Sequence, residues 1–340
     1  MRTAAFTELG DPDGVETVER QEPEPGDDEA IVDVRACSVN RHDLWILEGE
    51  SPLVNESTLP FVSGLDVAGV VAETGDGASV DKGDRVLLCP NQTCGECEFC
   101  REGPENMCQS FMLYHGGFAE SAAVDASRLI ALPDDVGFTE ASTLPTAYLT
   151  AWHMLRKTDV TAGDTVFVPG ATGGVGVATI QLCDVVGART VGTSTSEEKL
   201  SRLRDVGCDH TVESGDVDEI KKEVRSSVGR VDATVNHLAG EFTQLGLEVT
   251  KRGGTQAICG RTAGATSEIF APKFFLHQQE IVGSTMGTQP ELENLVRLVA
   301  DGKLEPVVGA TYTLEETRQA FADMDDRDAF GKLVVEPQSA

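Results

Sequence analysis

Thr165-Val166-Phe167-Val168-Pro169-Gly170-Ala171-Thr172-Gly173-Gly174-Val175-Gly176 is the stretch that decides the fold. An apolar run of strand length enters a glycine-rich turn. The turn opens onto a helical pattern, Val175 to Val186, that Gly187 closes. This order of strand, turn and helix is what a dinucleotide site requires. Gly173 lets the backbone approach a pyrophosphate, and Gly174 and Val175 offer amides at a helix N-terminus, where an anion is favoured. Gly176 permits close helix–strand packing. Ala171 stands where the usual fingerprint has its first glycine.

Downstream the alternation continues. Arg189 to Thr193 reads as a second strand, Ser196 to Gly207 as a helix, and His210 to Val212 as a short third strand. Asp218 to Val228 reads as a helix, Val231 to Asn236 as a fourth strand, and Gly254 to Cys259 as a fifth. Strands alternating with helices imply βαβ units, hence an α/β fold with a doubly wound parallel sheet. Upstream the chain is β-rich. Glu29 to Ala36, Gly64 to Glu73 and Lys82 to Leu88 read as strands parted by turns, with no convincing helical period before residue 138. From Gln289 the chain adds a helix, Glu291 to Asp301, and a closing strand, Lys332 to Val335. A chain of 340 residues exceeds the roughly 250–300 at which single cores stop growing, so two domains are expected.

The end of the second strand sets the nicotinamide preference. An acidic residue about 20 positions past the glycines would take the ribose 2′-hydroxyl and mark NAD. Here the sequence reads Thr193-Ser194-Thr195-Ser196, with no carboxylate before Glu197. Hydroxyls such as Ser194, with Lys199 nearby, suit a 2′-phosphate. The expectation is NADP, with NAD as the alternative.

Cys94-x2-Cys97-x2-Cys100-x7-Cys108 places four of the nine cysteines in one short loop. Four soft ligands brought together by tight turns suit a closed, tetrahedral, structural zinc site. An iron–sulfur cluster is the rival, although no proline follows the fourth cysteine as in the ferredoxin run. The five scattered cysteines are an odd set, which speaks against a disulfide framework and for a reducing compartment.

The net charge is −30, from 57 acidic and 27 basic residues. Phosphate backbones would be repelled, so nucleic acid is not an expected partner. No run reaches the roughly 18 apolar residues of a membrane span, and the first ten residues lack the apolar core of a secretion signal, so a cytoplasmic location is expected. Acidic runs such as Glu22 to Glu29 resemble a surface adapted to high intracellular salt, where self-repulsion is screened.

Together these features resemble the medium-chain dehydrogenase/reductase superfamily over essentially the whole chain. The residues that carry the likeness are Gly64-Leu65-Asp66-Val67-Ala68-Gly69, Gly83-Asp84-Arg85-Val86, the four cysteines and Gly173-Gly174-Val175-Gly176. The resemblance implies a GroES-like β-rich barrel over residues 1–145, with the structural-zinc lobe at 90–110. It implies a Rossmann nucleotide-binding domain over 146–286 and a return to the first domain over 287–340, with the active site in the cleft between them. Zinc alcohol dehydrogenases of this family hold a catalytic zinc with three protein ligands. At the matching positions this sequence has Asn40, Leu65 and Thr146. Leu65 has no donor atom, and Asn40 and Thr146 are poor zinc ligands.

The Val39-Asn40-x-x-Asp43 pattern is similar to the zinc-independent branch, the quinone and enoyl or enone reductases. The activity so implied is hydride transfer from NADPH to an activated C=C or a quinone, with Asn40 and His42 as catalytic candidates. His42 falls where zinc dehydrogenases carry the hydroxyl of their proton relay. The resemblance also brings Thr150, His237, Gly260 and Met286 near the cofactor, and likens Ile269 to Leu276 with Ile281-Val282 to a dimer edge, implying a homodimer or homotetramer. The alternative is a zinc-dependent alcohol or polyol dehydrogenase with an unconventional ligand set, Cys37, His42 and Asp66. In either case the partner is a small-molecule substrate.

Overall fold

The structure is a computed structural model, and it describes residues 1–52 and 54–338. It comprises two compact units, Met1–Thr146 with Thr288–Ala340, and Ala147–Gly287.

The first unit opens with a hairpin of β1 (Arg2–Phe6) and β2 (Val15–Glu19). Strand β3 (Glu29–Ser38) is the axis of a seven-stranded sheet. It pairs antiparallel with β4 (Asp66–Thr74) and with β8 (Ser121–Asp125). Strand β5 (Arg85–Leu88) joins β4 and is followed in the sheet by β9 (Leu129–Ala131). The short pair β6 (Asn91–Gln92) and β7 (Met112–Leu113) brackets the cysteine loop, which contains α2 (Glu98–Glu102). Val32, Val34, Val67, Val71 and Val86 are buried in one core with Phe6, Phe118 and Phe321. β-Branched side chains stiff at χ1 pack well on such a pleated surface.

Between β3 and β4 lies α1 (Arg41–Leu47), a helix that sequence periodicity does not reveal. At seven residues it is too short to display a period. Its N-terminus is set by Asn40, whose backbone N–H donates to the Asp43 carboxylate (2.8 Å). Another short helix, α3 (Phe138–Ala141), ends the first pass.

The second unit starts with α4 (Leu149–Lys157). Its sheet is β10 (Thr165–Val168), β11 (Arg189–Ser194), β12 (His210–Glu213), β13 (Val231–Asn236), β14 (Thr250–Ile258) and β15 (Glu280–Gly283), all parallel, in the order β12-β11-β10-β13-β14-β15. The connecting helices are α5 (Gly174–Val186), α6 (Glu197–Asp205), α7 (Val217–Ser227), α8 (Glu241–Val249) and α9 (Ala271–His277). All four residues of β10 are buried, as helices on both faces of a parallel sheet demand. Gly187 ends α5 at φ 85°, the left-handed C-terminal position that glycine takes without strain. The chain winds outward from β10 to β12 and resumes on the other side at β13, so the strand order reverses between β10 and β13. Open α/β sheets bind their ligands at such a switch point.

The chain then returns to the first unit with α10 (Gln289–Ala300), β16 (Val308–Thr313), α11 (Thr317–Asp325) and β17 (Lys332–Glu336). Strand β17 lies antiparallel beside β3, with Val334 opposite Ser38 and Val335 opposite Cys37.

Candidate active site

In the second unit the expected cofactor residues collect at the carboxyl ends of the strands. A Cβ on Gly176 would meet the backbone of Ala171 at 2.6 Å, so only glycine lets α5 pack this close to β10. A Cβ on Gly173 would meet nothing within 4 Å, and no side chain caps the first turn of α5. The amides of Gly174 and Val175 thus open a 13-residue helix at the switch point, the arrangement that binds a phosphate. His237 follows β13 and Gly260 follows β14, and a Cβ on Gly260 would overlap the His237 carbonyl. Thr150 on α4 reaches the Met286 sulfur with its hydroxyl (3.9 Å). Met286 holds φ 49°, a left-handed conformation uncommon outside glycine. Ser194 ends β11 and accepts from the Ser196 amide (3.3 Å), and the Ser196 hydroxyl accepts from the Lys199 amide (3.4 Å), so both expected 2′-phosphate residues stand in one turn.

Two buried polar atoms at these strand ends, His237 Nδ1 and Ser284 Oγ, have no hydrogen-bond partner among the described residues. Buried polar atoms are rarely left unpaired, so both are open to the hydrogen bonds of a ligand at the strand ends. Burial pushes the His237 imidazole down to about 4, so it is neutral at pH 7. The cradle fits a nicotinamide dinucleotide.

In the first unit two of the three ligand-matching positions, Asn40 and Thr146, belong to a hydrogen-bonded cluster centred on Asp66, which is fully buried. Its carboxylate accepts from Ser38 Oγ (2.6 Å), Asn40 Nδ2 (2.9 Å) and Thr146 Oγ1 (2.6 Å). Lys332 Nζ lies 3.6 Å from the same carboxylate and donates to Asn40 Oδ1 (2.5 Å) and the Val39 carbonyl (2.8 Å). Two of the three positions, Asn40 and Thr146, therefore point their polar groups at one carboxylate, and the third is Leu65 with no donor. An ammonium group supplies the positive charge of the cluster. Burial pushes Asp66 up, with Lys332 opposing, and pushes Lys332 down, with Asp66 opposing. Both shifts favour the neutral form, so desolvation outweighs the mutual attraction of the pair.

Asn40, a catalytic candidate from the sequence, faces this cluster. Its amide hydrogens go to Asp66 and the Ser38 carbonyl (3.3 Å), so it frames the cluster. The alternative metal set, Cys37, His42 and Asp66, is also not assembled. Among the described residues the one convergent group of three or more possible ligands is the cysteine quartet. Cys37 is buried and its thiol is pushed well up by burial, the opposite of a thiolate ligand.

Next to the cluster, Asp43 is fully buried and accepts from Ser63 Oγ (2.5 Å) and the Gly64 amide (3.1 Å). Ser63 Oγ lies 3.4 Å from His115 Nδ1, and His115 stacks on His42 with ring centroids 5.6 Å apart. Sequence reasoning singled out His42 but missed Ser63, His115 and Lys332. For Lys332 a signal was present, a lysine opening the otherwise apolar strand Leu333-Val334-Val335. For Ser63 and His115 there was none, since both lie in loops far apart in sequence.

The four cysteine sulfurs lie within 4.8 Å of one another, with Cys94–Cys108 and Cys97–Cys100 at 3.5 Å and Cys94–Cys100 at 3.9 Å. A tetrahedral ion with metal–sulfur bonds of about 2.3 Å needs sulfurs about 3.8 Å apart. The cluster fits one such ion and leaves no room for a polynuclear iron–sulfur centre. Amides of Cys94, Cys97 and Ser110 already donate to these sulfurs at 3.3–3.4 Å.

Two family models match the chain. The model of the alcohol dehydrogenase GroES-like domain matches residues 26–134, and that of the zinc-binding dehydrogenases matches residues 174–301. An acryloyl-coenzyme A reductase from Metallosphaera sedula is 32% identical over 96% of this chain and 97% of its own. A crotonyl-CoA reductase from Streptomyces collinus is 29% identical over 92% of this chain and 79% of its own. The crystal structure of an NAD-dependent alcohol dehydrogenase superposes with a TM-score of 0.90, at 35% identity over 99% of both chains. The chain belongs to the medium-chain dehydrogenase/reductase superfamily, with a GroES-like and a Rossmann-type domain. It is an NAD(P)-dependent oxidoreductase.

Proposed function

We propose that this protein is an NADPH-dependent reductase of an activated carbon–carbon double bond, an enoyl thioester in the first instance, working without a catalytic metal. The observation that carries this reading is the fate of the three ligand positions, in which Asn40 and Thr146 are spent on Asp66 and Leu65 offers nothing. Alcohol oxidation in this family depends on a Lewis acid to stabilise the alkoxide. Reduction of a conjugated double bond does not, because the electron pair is drawn into the neighbouring carbonyl and the enzyme has only to bind the oxygen and deliver a proton. The reduced nicotinamide, when bound, supplies the hydride. His42 supplies the proton, and Asn40, held by Asp66 and Lys332, fixes the start of α1 on which His42 stands. The acryloyl- and crotonyl-CoA reductases among the relatives support a thioester substrate. Ser194 and Lys199, with no carboxylate ending β11, support NADPH over NADH.

The test is steady-state turnover of acryloyl-CoA, crotonyl-CoA and 1,4-benzoquinone with NADPH and NADH, against primary and secondary alcohols with both oxidised cofactors. The enoyl thioesters with NADPH should give the highest kcat/KM, and His42→Gln should lower kcat by about 10²–10⁴-fold. Faster turnover of alcohols would overturn the reading.

We further propose that the protein assembles as a homodimer or homotetramer through β15, an edge strand, and α9. Phe270, Phe275 and Leu276 are more than half exposed there. Exposed apolar patches beside an open sheet edge favour pairing. Sedimentation should show an oligomer, and Phe275→Asp should shift it toward monomer. A cytoplasm rich in salt is the setting we propose for an acidic chain of this charge.

A further inference from the structure

Beyond the cluster around Asp66, the first unit holds a second buried polar chain that ends in two stacked imidazoles. We infer that His115 is a positioning residue of a two-imidazole proton donor, in which Asp43 and Ser63 fix the His115 ring and that ring fixes His42. This rests on the reductase reading above.

The geometry runs outward from the core. The Asp43 carboxylate is held by the amides of Asn40 and Gly64 and by the Ser63 hydroxyl. Ser63 gives its proton to Asp43 at 2.5 Å, so its oxygen faces His115 Nδ1, 3.4 Å away, as an acceptor. That selects the tautomer of His115 with the proton on Nδ1 and a bare Nε2. The ring is further held by Phe61, edge-on with centroids 5.3 Å apart, and it lies 19° from parallel to His42. A near-parallel stack keeps the two imidazoles from hydrogen-bonding each other through their edges.

Two imidazolium ions stacked in a half-buried site would repel. Burial, and then His42, hold His115 down to about 4, so His115 is neutral near pH 7 and the stack is not doubly charged. Among the described residues, the titratable groups whose charges act on the pair are Asp43, fully buried and acting on His42, and the two rings themselves. NADPH, when bound, would supply the hydride for the new C–H bond at the β-carbon, and the double-bond electrons would move onto the thioester oxygen. The His42 N–H bond then breaks as its proton goes to the α-carbon. His42 is left one proton poorer, the cofactor would leave oxidised, and solvent returns the proton. His115 touches none of the reacting atoms; it sets the orientation and charge of the group that does.

The experiment has two arms on the full chain. In the first, the six histidines are followed by NMR against pH, with assignment by substitution. His115 should stay neutral down to pH 5 in the wild type, and its midpoint should rise in His42→Phe. An unchanged His115 midpoint in that variant overturns the pairing, whatever the substrate. In the second arm, His115→Phe keeps a flat ring and removes its nitrogens. It should lower kcat for enoyl-thioester reduction about tenfold or more, with KM little changed, and shift the limb of the pH–rate profile that reports the donor. Ser63→Ala should move the same limb by less. If His115→Phe fails to fold, His115→Gln takes its place. An unaltered pH profile in a folded variant overturns the role of His115. Absence of enoyl-thioester turnover in the wild type, with the NMR coupling intact, would count against the reductase reading and leave the pairing standing.

Discussion

Lys332→Met lowers stability by about 3–5 kcal/mol near neutral pH, the penalty for leaving one member of a buried ion pair alone. Asp66 has no route to solvent, and its other three neighbours, Ser38, Asn40 and Thr146, are neutral donors. Without the ammonium the carboxylate relieves its isolation by taking up a proton, so its folded-state pKa rises further above the unfolded value of about 3.9. A group whose folded pKa is raised favours the folded state below its unfolded pKa, and that support is lost as pH rises toward the folded value. The variant should therefore be least impaired near pH 5 and most impaired at pH 8, the opposite of ordinary acid denaturation. Urea unfolding at the two pH values measures this. Asp66→Asn in the same chain should remove the pH dependence and recover stability. A loss that is equal at both pH values and unaffected by Asp66→Asn would show that Lys332 acts by packing alone.

The second large effect is on the cysteine lobe. Cys94→Ser should abolish binding of one zinc per chain, measured by elemental analysis of the purified protein. Binding of structural zinc by small peptides is worth about 10–16 kcal/mol, and that binding energy is folding energy for the segment the metal closes. Here the expected loss is local, because the lobe has a second anchor. Arg128 grips Glu105 through two hydrogen bonds (2.9 and 3.0 Å) and also reaches Cys89 Sγ (3.1 Å), while Glu105 accepts the Gln289 amide (2.8 Å). The segment from Cys94 to Cys108 should become sensitive to protease in Cys94→Ser, whereas the parallel sheet of the other unit should keep its hydrogen-exchange protection. Two zincs in the wild type, one of them surviving the substitution, would contradict both the structural assignment and the metal-free reading of the Asp66 cluster.

The parallel-sheet unit was legible because its signals are local. Apolar runs four to six residues long, Gly173 at the turn and Gly187 at the helix end each specify their own few residues, whereas the strand order and β15 come from the fold. The cysteine site was legible for the same reason, since all four ligands lie in one loop. Helix α1 was not, being too short to show a period, although Asn40 and Asp43 that cap it were in plain view. The Asp66 cluster was legible only by what was missing from it. The family resemblance set Asn40, Leu65 and Thr146 at the ligand-matching positions, where they make poor or no metal ligands, but that Asp66 would collect the freed polar groups and a lysine from residue 332 depends on tertiary contacts. The same holds for His115, which only the fold places beside His42.

The strand that carries Lys332 has a consequence for synthesis. A ribosome releases β3 and β4, and with them Asp66, some 260 residues before it releases β17. During that interval the nascent barrel has a carboxylate at its centre with no counter-charge and an unpaired edge along β3, where Val334 and Val335 will later lie. The parallel sheet of the other unit is by then complete. The unit begun at the N-terminus therefore closes last, and a transcript truncated just short of residue 332 would yield a chain whose first-made domain is the one that cannot close.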